Sequence, residues 1–331
     1  MDPVTQGLVG ASAAFLFSDS EKARPAALTG ALSAMAADLD IFIASPSDPL
    51  LNIEMHRQFT HSLLFIPAGA LLVSVVLYLF LKKRLNFRQL YIYSFAGFST
   101  AGLLDACTSY GTQLLWPFAD TRIAWSVISI FDPLVTAGLI LFVVPALIKK
   151  KKRFAYMSLG WLTLFLLYGL LQQQRAESAA ERLADSRSHS PTEWVVKPTL
   201  GNQILWRVNY KQGGKIYTDA IRTGIFSGIR IYEGESSDEV NPQSEYKNIE
   251  GTTLYRDLLR FEALSDGYLV RHPERPDVIG DARFSMLPTS ITPLWGIEAD
   301  TTLTGRHAPF LYFRDSGQEV RNEYLRMLTH N

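Results

Sequence analysis

Cysteine is nearly absent from this chain. Cys107 stands alone among 331 residues, which excludes an intrachain disulfide and any zinc site built on paired thiolates. Net charge is absent as well: 32 basic residues balance 32 acidic ones, so nothing in the charge draws the chain to nucleic acid. No Lys or Arg precedes the first apolar run, the earliest being Lys22, and a secretory signal peptide is therefore not expected. HExxH and CxxC patterns are missing, and no internal repeat is visible.

What is present is unevenly divided. The first 171 residues are rich in Leu, Ala, Ile and Phe with charges in short clusters, whereas from Gln172 the composition is that of a soluble protein. Apolar runs near 4–17, 26–44, 62–81, 90–107, 126–148 and 154–171 are long enough, or nearly so, for a hydrocarbon core of about 30 Å. The first, with 14 residues, is short for a span and equally suits a re-entrant segment. The expected architecture is an α-helical polytopic membrane domain of five to six transmembrane helices over 1–171. A helical linker over 172–190 and a small soluble α+β domain over 191–331 follow.

Positive charge orients the spans. Lys22, Arg24, Lys82, Lys83, Arg84, Arg88 and KKKKR at 149–153 fall in one set of alternate loops, and Arg57 and Arg122 in the other. Eleven against two places the basic loops in the cytoplasm and the soluble domain on the periplasmic side of a bacterial inner membrane.

In the second half, ILWRVNY (204–210), a GG turn and KIYTDAIR (215–222) predict a hairpin, followed by a strand at 228–234. A helix over 252–267 is expected, capped by Thr252 or Thr253, with Leu254, Leu258, Phe261 and Leu264 on one side. Strands near 278–286, 294–299 and 309–314 and a last helix near 318–329 complete it. His272, His307 and His330 are isolated in sequence, and ordinary core or surface roles are expected for them.

The polar residues in the membrane half carry the chemistry. HRQFTHSLL (56–64) sets His56 and His61 where an apolar run begins, and an ionisable group at mid-span costs about 2.5–3.5 kcal/mol. Asp38 and Asp40 lie late in the second run, Asp105 late in the fourth, and Asp132 early in the fifth. On the topology above all six gather at the periplasmic face. Carboxylates so grouped repel one another unless cations compensate. Imidazole with carboxylate suits a divalent metal, zinc first and manganese or iron next. Asp38 and Asp40 sit about 200° apart on an ideal helix, so both reach one cluster only if the helix ends there. His56 reads as a loop residue, with Thr60 capping the third helix and His61 in its first turn. Asp132, before Pro133, serves equally well as a helix cap.

DPVTQGLVGA, AADLDIF, HRQFTHSLL, LLDACTSYGTQLLWPF and FDPLVT, in that order over about residues 1–150, resemble the bacterial membrane-bound metal-dependent hydrolases of YdjM-like type. Their best-known relatives are DNA-damage-regulated inner-membrane proteins. The second half resembles the C-terminal extension of a longer subgroup, notably in RHAPF (306–310). The resemblance implies metal ligands at Asp38, Asp40, His56, His61 and Asp105. Two positions depart from the family pattern: Gln6 and Ala101 stand where many relatives carry histidine.

The function expected is hydrolysis of a phosphoester or lipid-linked substrate, such as a phospholipid, at the outer face of the membrane; the family also faintly resembles zinc phospholipases C. Asp40 or Asp132 is the candidate general base, and Arg57, better placed than Arg122, would hold a phosphate. The alternative is a non-enzymatic cation-binding scaffold. A transporter fits less well, because its ionisable groups would sit near mid-bilayer between repeats.

Overall fold

The computed structural model describes residues 1–224, 228–314 and 317–329, so His330 lies outside the described residues. The chain divides into two compact units. One comprises Met1–Ile43, Met55–Leu171 and Leu200–Asn202; the other comprises Ala44–Glu54, Gln172–Thr199 and Gln203–Asn331.

Helices build the first unit. Asp2 caps α1 (Pro3–Leu16) by accepting from the Val4 and Thr5 amides. α2 (Ala23–Ala36) stops two residues before Asp38, and a 3-10 segment, Ala37–Phe42, carries both acids onward. After α3 (Leu51–Met55) comes a single 3-10 turn, Phe59–His61, and α4 begins only at Ile66 and runs to Leu81. Thr60 is therefore no cap of the third apolar helix, a correction to the sequence reading. α5 (Phe87–Ala106) opens with a reciprocal Asn86–Gln89 capping box, and Asp132 caps α6 (Pro133–Lys149). α7 (Lys152–Ser186) is a single helix of 35 residues.

Packing around α4 is inside-out relative to a soluble protein. On α4, Gly69, Ala70 and Ser74 face inward while Leu71, Leu72, Val75, Val76, Leu79 and Phe80 are exposed. Small residues inside and large apolar ones outside suit a lipid solvent. α1, α2 and α5 meet at glycine: a Cβ on Gly30 would lie 2.3 Å from the Gly10 carbonyl, and one on Gly97 would lie 2.2 Å from that of Gly30.

Five to six spanning helices are not confirmed among the described residues. One helix, Lys152–Ser186, is long and apolar enough to cross a bilayer alone; Leu51–His61 with Ile66–Leu81, bent by 91°, makes a second if taken as one span. A 3-10 segment ends α2 at Ala36, a 3-10 turn precedes α4, which starts only at Ile66, and α6 starts only at Pro133, whereas α5 keeps 20 residues.

The second unit is α+β. β1 (Trp194–Pro198), β2 (Leu205–Gln212), β3 (Lys215–Thr223) and β4 (Ile229–Tyr232) form an antiparallel sheet, with β5 (Ser236–Asp238) paired to β3. The β2–β3 hairpin turns through Gly213 and Gly214, both at positive φ. α8 (Pro242–Glu245) and α9 (Thr253–Leu264) precede a second antiparallel sheet of β6 (Leu269–His272), β7 (Arg275–Asp281), β8 (Trp295–Glu298) and β9 (Phe310–Tyr312). α10 (Gln318–Thr329) follows. Of the two candidates, Thr252 is the cap of α9, accepting from the Tyr255 amide. Leu254, Leu258 and Phe261 of α9 pack with Leu269, Ile279 and Ile297 of the sheet. Leu50, fully buried, belongs to the same core, and Ile53 packs on it. A segment lying between two helices of the first unit is thus part of the second unit's interior.

Candidate metal centre

Three segments meet in the first unit: the 3-10 segment after α2, the Phe59–His61 turn and the last turn of α5. They bring Asp38, His61 and Asp105 together, with one potential ligand atom from each lying within 4.8 Å of the others. Gly102 permits the approach. A Cβ there would fall 2.2 Å from the His61 carbonyl oxygen, so any larger residue would push the turn off α5.

The hydrogens decide what this group can do. Thr60 has one hydroxyl hydrogen and donates it to Asp40 Oδ2 in a short bond. His61 Nδ1, 3.0 Å from Thr60 Oγ1 and 3.3 Å from Asp40 Oδ2, is then the donor on that side. In the neutral ring Nε2 is left with its lone pair, facing Asp38 Oδ1 at 3.1 Å and Asp105 Oδ2 at 3.0 Å. Asp105 Oδ2 is buried and takes no aligned hydrogen bond from any described residue. Three acceptors converging without a hydrogen between them fit a cation, and a carboxylate fixing the far nitrogen of a ligating histidine is the usual support of such a ligand. The donor set, one imidazole and two carboxylates, suits zinc, manganese or iron.

Asp40 and His56 stand behind this group. Asp40 Oδ1 is 2.7 Å from His56 Nδ1, while Oδ2 accepts from Thr60 and from the Arg57 amide at 3.0 Å. Both its oxygens are engaged, so it orients two imidazoles and is not free as a base. The His56 side chain is 31% exposed, and its ring centroid lies 6.1 Å from that of His61.

Arg57 adopts φ 63°, the left-handed region, which costs a non-glycine residue about 1–2 kcal/mol and places its amide on Asp40. Its guanidinium is buried, donating to Thr108 at 3.0 Å and lying 3.3 Å from Asp105 Oδ1. The Met1 amino group also meets Asp105 Oδ1. Arg57 is thus spent on a carboxylate rather than offered to a phosphate. Arg122 donates to the His56 carbonyl at 3.3 Å.

Asp132 is not brought into the group: its Oδ1 accepts from the Leu134 and Val135 amides of its own helix. Gln6 is fully buried with neither amide atom partnered among the described residues, and Ala101 is packed against Ala37, Ala70 and Phe98. Sequence reasoning missed the parts played by Gly102 and Thr108. For Gly102 the available signal was a glycine one helical turn before a buried acid.

A second cluster lies in the other unit. His307 is not isolated: its Nδ1 is 3.0 Å from both oxygens of Asp257 and 3.8 Å from Asp48. Arg260 joins Asp48, Glu54 and Asp257. Burial works to raise the Asp48 carboxyl, but the bond from Arg260 overrides it and holds the group below the usual range. With Arg260 already paired to Asp48, Glu54 and Asp257, this cluster reads as an ion-pair network.

The model of the YdjM inner membrane protein family matches residues 1–176. The uncharacterized protein YfhP of Bacillus subtilis is 26% identical over 118 residues, which is 36% of each chain, so the match spans little more than a third of that relative. No solved structure matches the chain.

Proposed function

The chain belongs to the YdjM inner membrane protein family, and on that premise we propose a metal-dependent hydrolase acting on a phosphoester or lipid-linked substrate at the outer face of the bacterial inner membrane. The observation that carries this reading is the His61 Nε2 lone pair set between Asp38 Oδ1 and Asp105 Oδ2. Asp38, His61 and Asp105 would hold the metal, with zinc first and manganese or iron next. When bound, it would polarise the scissile group and acidify water.

The remaining residues take their roles from geometry. Asp40 fixes the ring of His61 and holds His56 by Nδ1, leaving the other nitrogen of a partly exposed ring outside that bond. His56 is then the group placed to take or give the proton, as general base or acid. Arg57 neutralises Asp105. A headgroup-level site open on the Asp38 and His56 side suits a lipid-linked substrate; their side chains are 24% and 31% exposed.

A second reading, a cation-binding scaffold without catalysis, is favoured by the burial of Arg57, which removes the anticipated phosphate contact. Hydrolysis of generic phosphodiester and carboxylic ester substrates by purified protein separates the two. Chelation and His61→Ala are each expected to abolish turnover together with bound metal. His56→Gln is expected to keep the metal and lower kcat by about 10²-fold or more. Turnover that survives both chelator and His61→Ala lies elsewhere in the chain. Stoichiometric metal with no turnover on either substrate class leaves the scaffold.

A further inference from the structure

Ala44–Glu54 leaves the first unit and returns to it at Met55, yet it is built into the C-terminal domain. Its first residue follows Asp40 by four positions, and its last precedes His56 by two. Both approaches to the candidate centre are therefore tethered within a few peptide bonds of this segment.

The grip on the segment is strong by two separate measures. Leu50 is fully buried in the core formed with Leu258, Phe261 and Ile297, and Ile53 packs on it. Arg260 of α9 binds two of its carboxylates in forked pairs. Nη1 and Nη2 donate to Asp48 Oδ1 and Oδ2, each at 3.0 Å, while Nε and Nη2 donate to Glu54 Oε1 and Oε2 at 2.7 and 2.6 Å. Asp257 accepts from Nη1 at 2.8 Å and fixes the guanidinium from its own helix. Bidentate pairs of this kind set orientation as well as distance.

We infer that the C-terminal domain positions the candidate metal centre through this inserted segment, with Arg260 as the positioning residue. The inference rests on the metal-centre reading for one of its two readouts and is independent of it for the other. Displacing Ala44 or Glu54 shifts chain directly continuous with Asp38, Asp40, His56 and His61, and a site of this kind tolerates about 0.5 Å of error. Coupling is reciprocal: whatever tightens the centre also tightens the segment.

The test uses the full chain in lipid nanodiscs and two variants, Arg260→Ala and the pair Asp48→Asn with Glu54→Gln, the second leaving α9 untouched. Amide hydrogen exchange of residues 37–43 and 55–62 is followed, and zinc affinity is measured by competition with a chelating dye. Both variants are expected to speed exchange in those two stretches and to weaken zinc about tenfold or more, while β6–β9 keep their protection. Arg260→Lys restores little, because an ammonium cannot form the two forks. If 44–54 is released while 37–43 and 55–62 exchange as in the wild type, the coupling is wrong; it is equally wrong if 44–54 stays protected. Should Arg260→Ala unfold the domain, the double variant decides. Should the wild type bind none of zinc, manganese and iron, the hydrolase reading fails while exchange still decides the coupling.

Discussion

Asp40 shows what a single residue does and how little of it a sequence discloses. An acid late in an apolar run is conspicuous, and both Asp38 and Asp40 stand out on that ground. Their division of labour is not readable, because it depends on α2 giving way at Ala36 to a 3-10 segment. In the folded chain Asp38 faces the lone pair of His61 while Asp40 faces hydrogens, from Thr60, the Arg57 amide and two imidazoles. Asp40→Asn would turn an amide NH₂ toward some of those donors. Metal affinity is expected to fall about 10–100-fold with helix content unchanged in circular dichroism; unchanged affinity would free His61 from its dependence on Asp40.

Lys197 offers a residue-level test in the other unit. It is buried in β1 with its Nζ 3.0 Å from the centre of the Phe284 ring. Burial first, then the nearby Arg207, push its pKa well below 10.5. Between the lowered value and 10.5 the unfolded chain binds the extra proton, so this group makes stability rise with pH through that window. Lys197→Met is expected to flatten the rise and to stabilise the domain at pH 7 by about 1 kcal/mol, or about 3 °C in Tm. Calorimetry across pH 7–10 decides; a lower Tm at every pH would mean the amine is stabilising.

At the scale of elements, signals set by near neighbours are legible in the sequence and those set by distant partners are not. The Thr252 cap and the Leu254, Leu258 and Phe261 face of α9 follow from neighbours within a few positions, as does the Gly213–Gly214 hairpin. Leu50 gives no such signal. SDPLLNIE reads as any connection between helices, and the partners that bury Leu50 lie some 200 residues further on. The meeting of Phe59–His61 with α5 is also non-local, and it hangs on Gly102. Gly102→Ala is expected to displace the His61 turn, costing about 1–3 kcal/mol and most of the metal affinity, whereas Ala101→Gly, one position away, leaves the metal bound. Equal losses from both would point to α5 itself and not to the contact.

For the whole molecule the decisive quantity is which side of the membrane the centre faces. At 1.5 Å per residue α1 reaches about 21 Å and α6 about 25 Å, short of a core of about 30 Å, so apolar length alone does not count the spans. Charge speaks more clearly, because Lys82, Lys83, Arg84 and the 149–153 run resist translocation wherever the helices end. If those loops are cytoplasmic, α7 leads the C-terminal domain outward, and its later residues Ala176, Ala179 and Ala180 pack there on Trp206, Val208 and Ile221. Replacing Cys107, which is buried, by Ser gives a background for single reporters at two exposed positions, Lys83→Cys and Asp238→Cys. A membrane-impermeant maleimide applied to cells with a permeable outer membrane is expected to label Asp238→Cys at once and Lys83→Cys only after the inner membrane is broken. The reverse pattern would put the C-terminal domain in the cytoplasm and remove the case for a hydrolase facing the periplasm, though the group of Asp38, His61 and Asp105 would remain as candidate metal ligands.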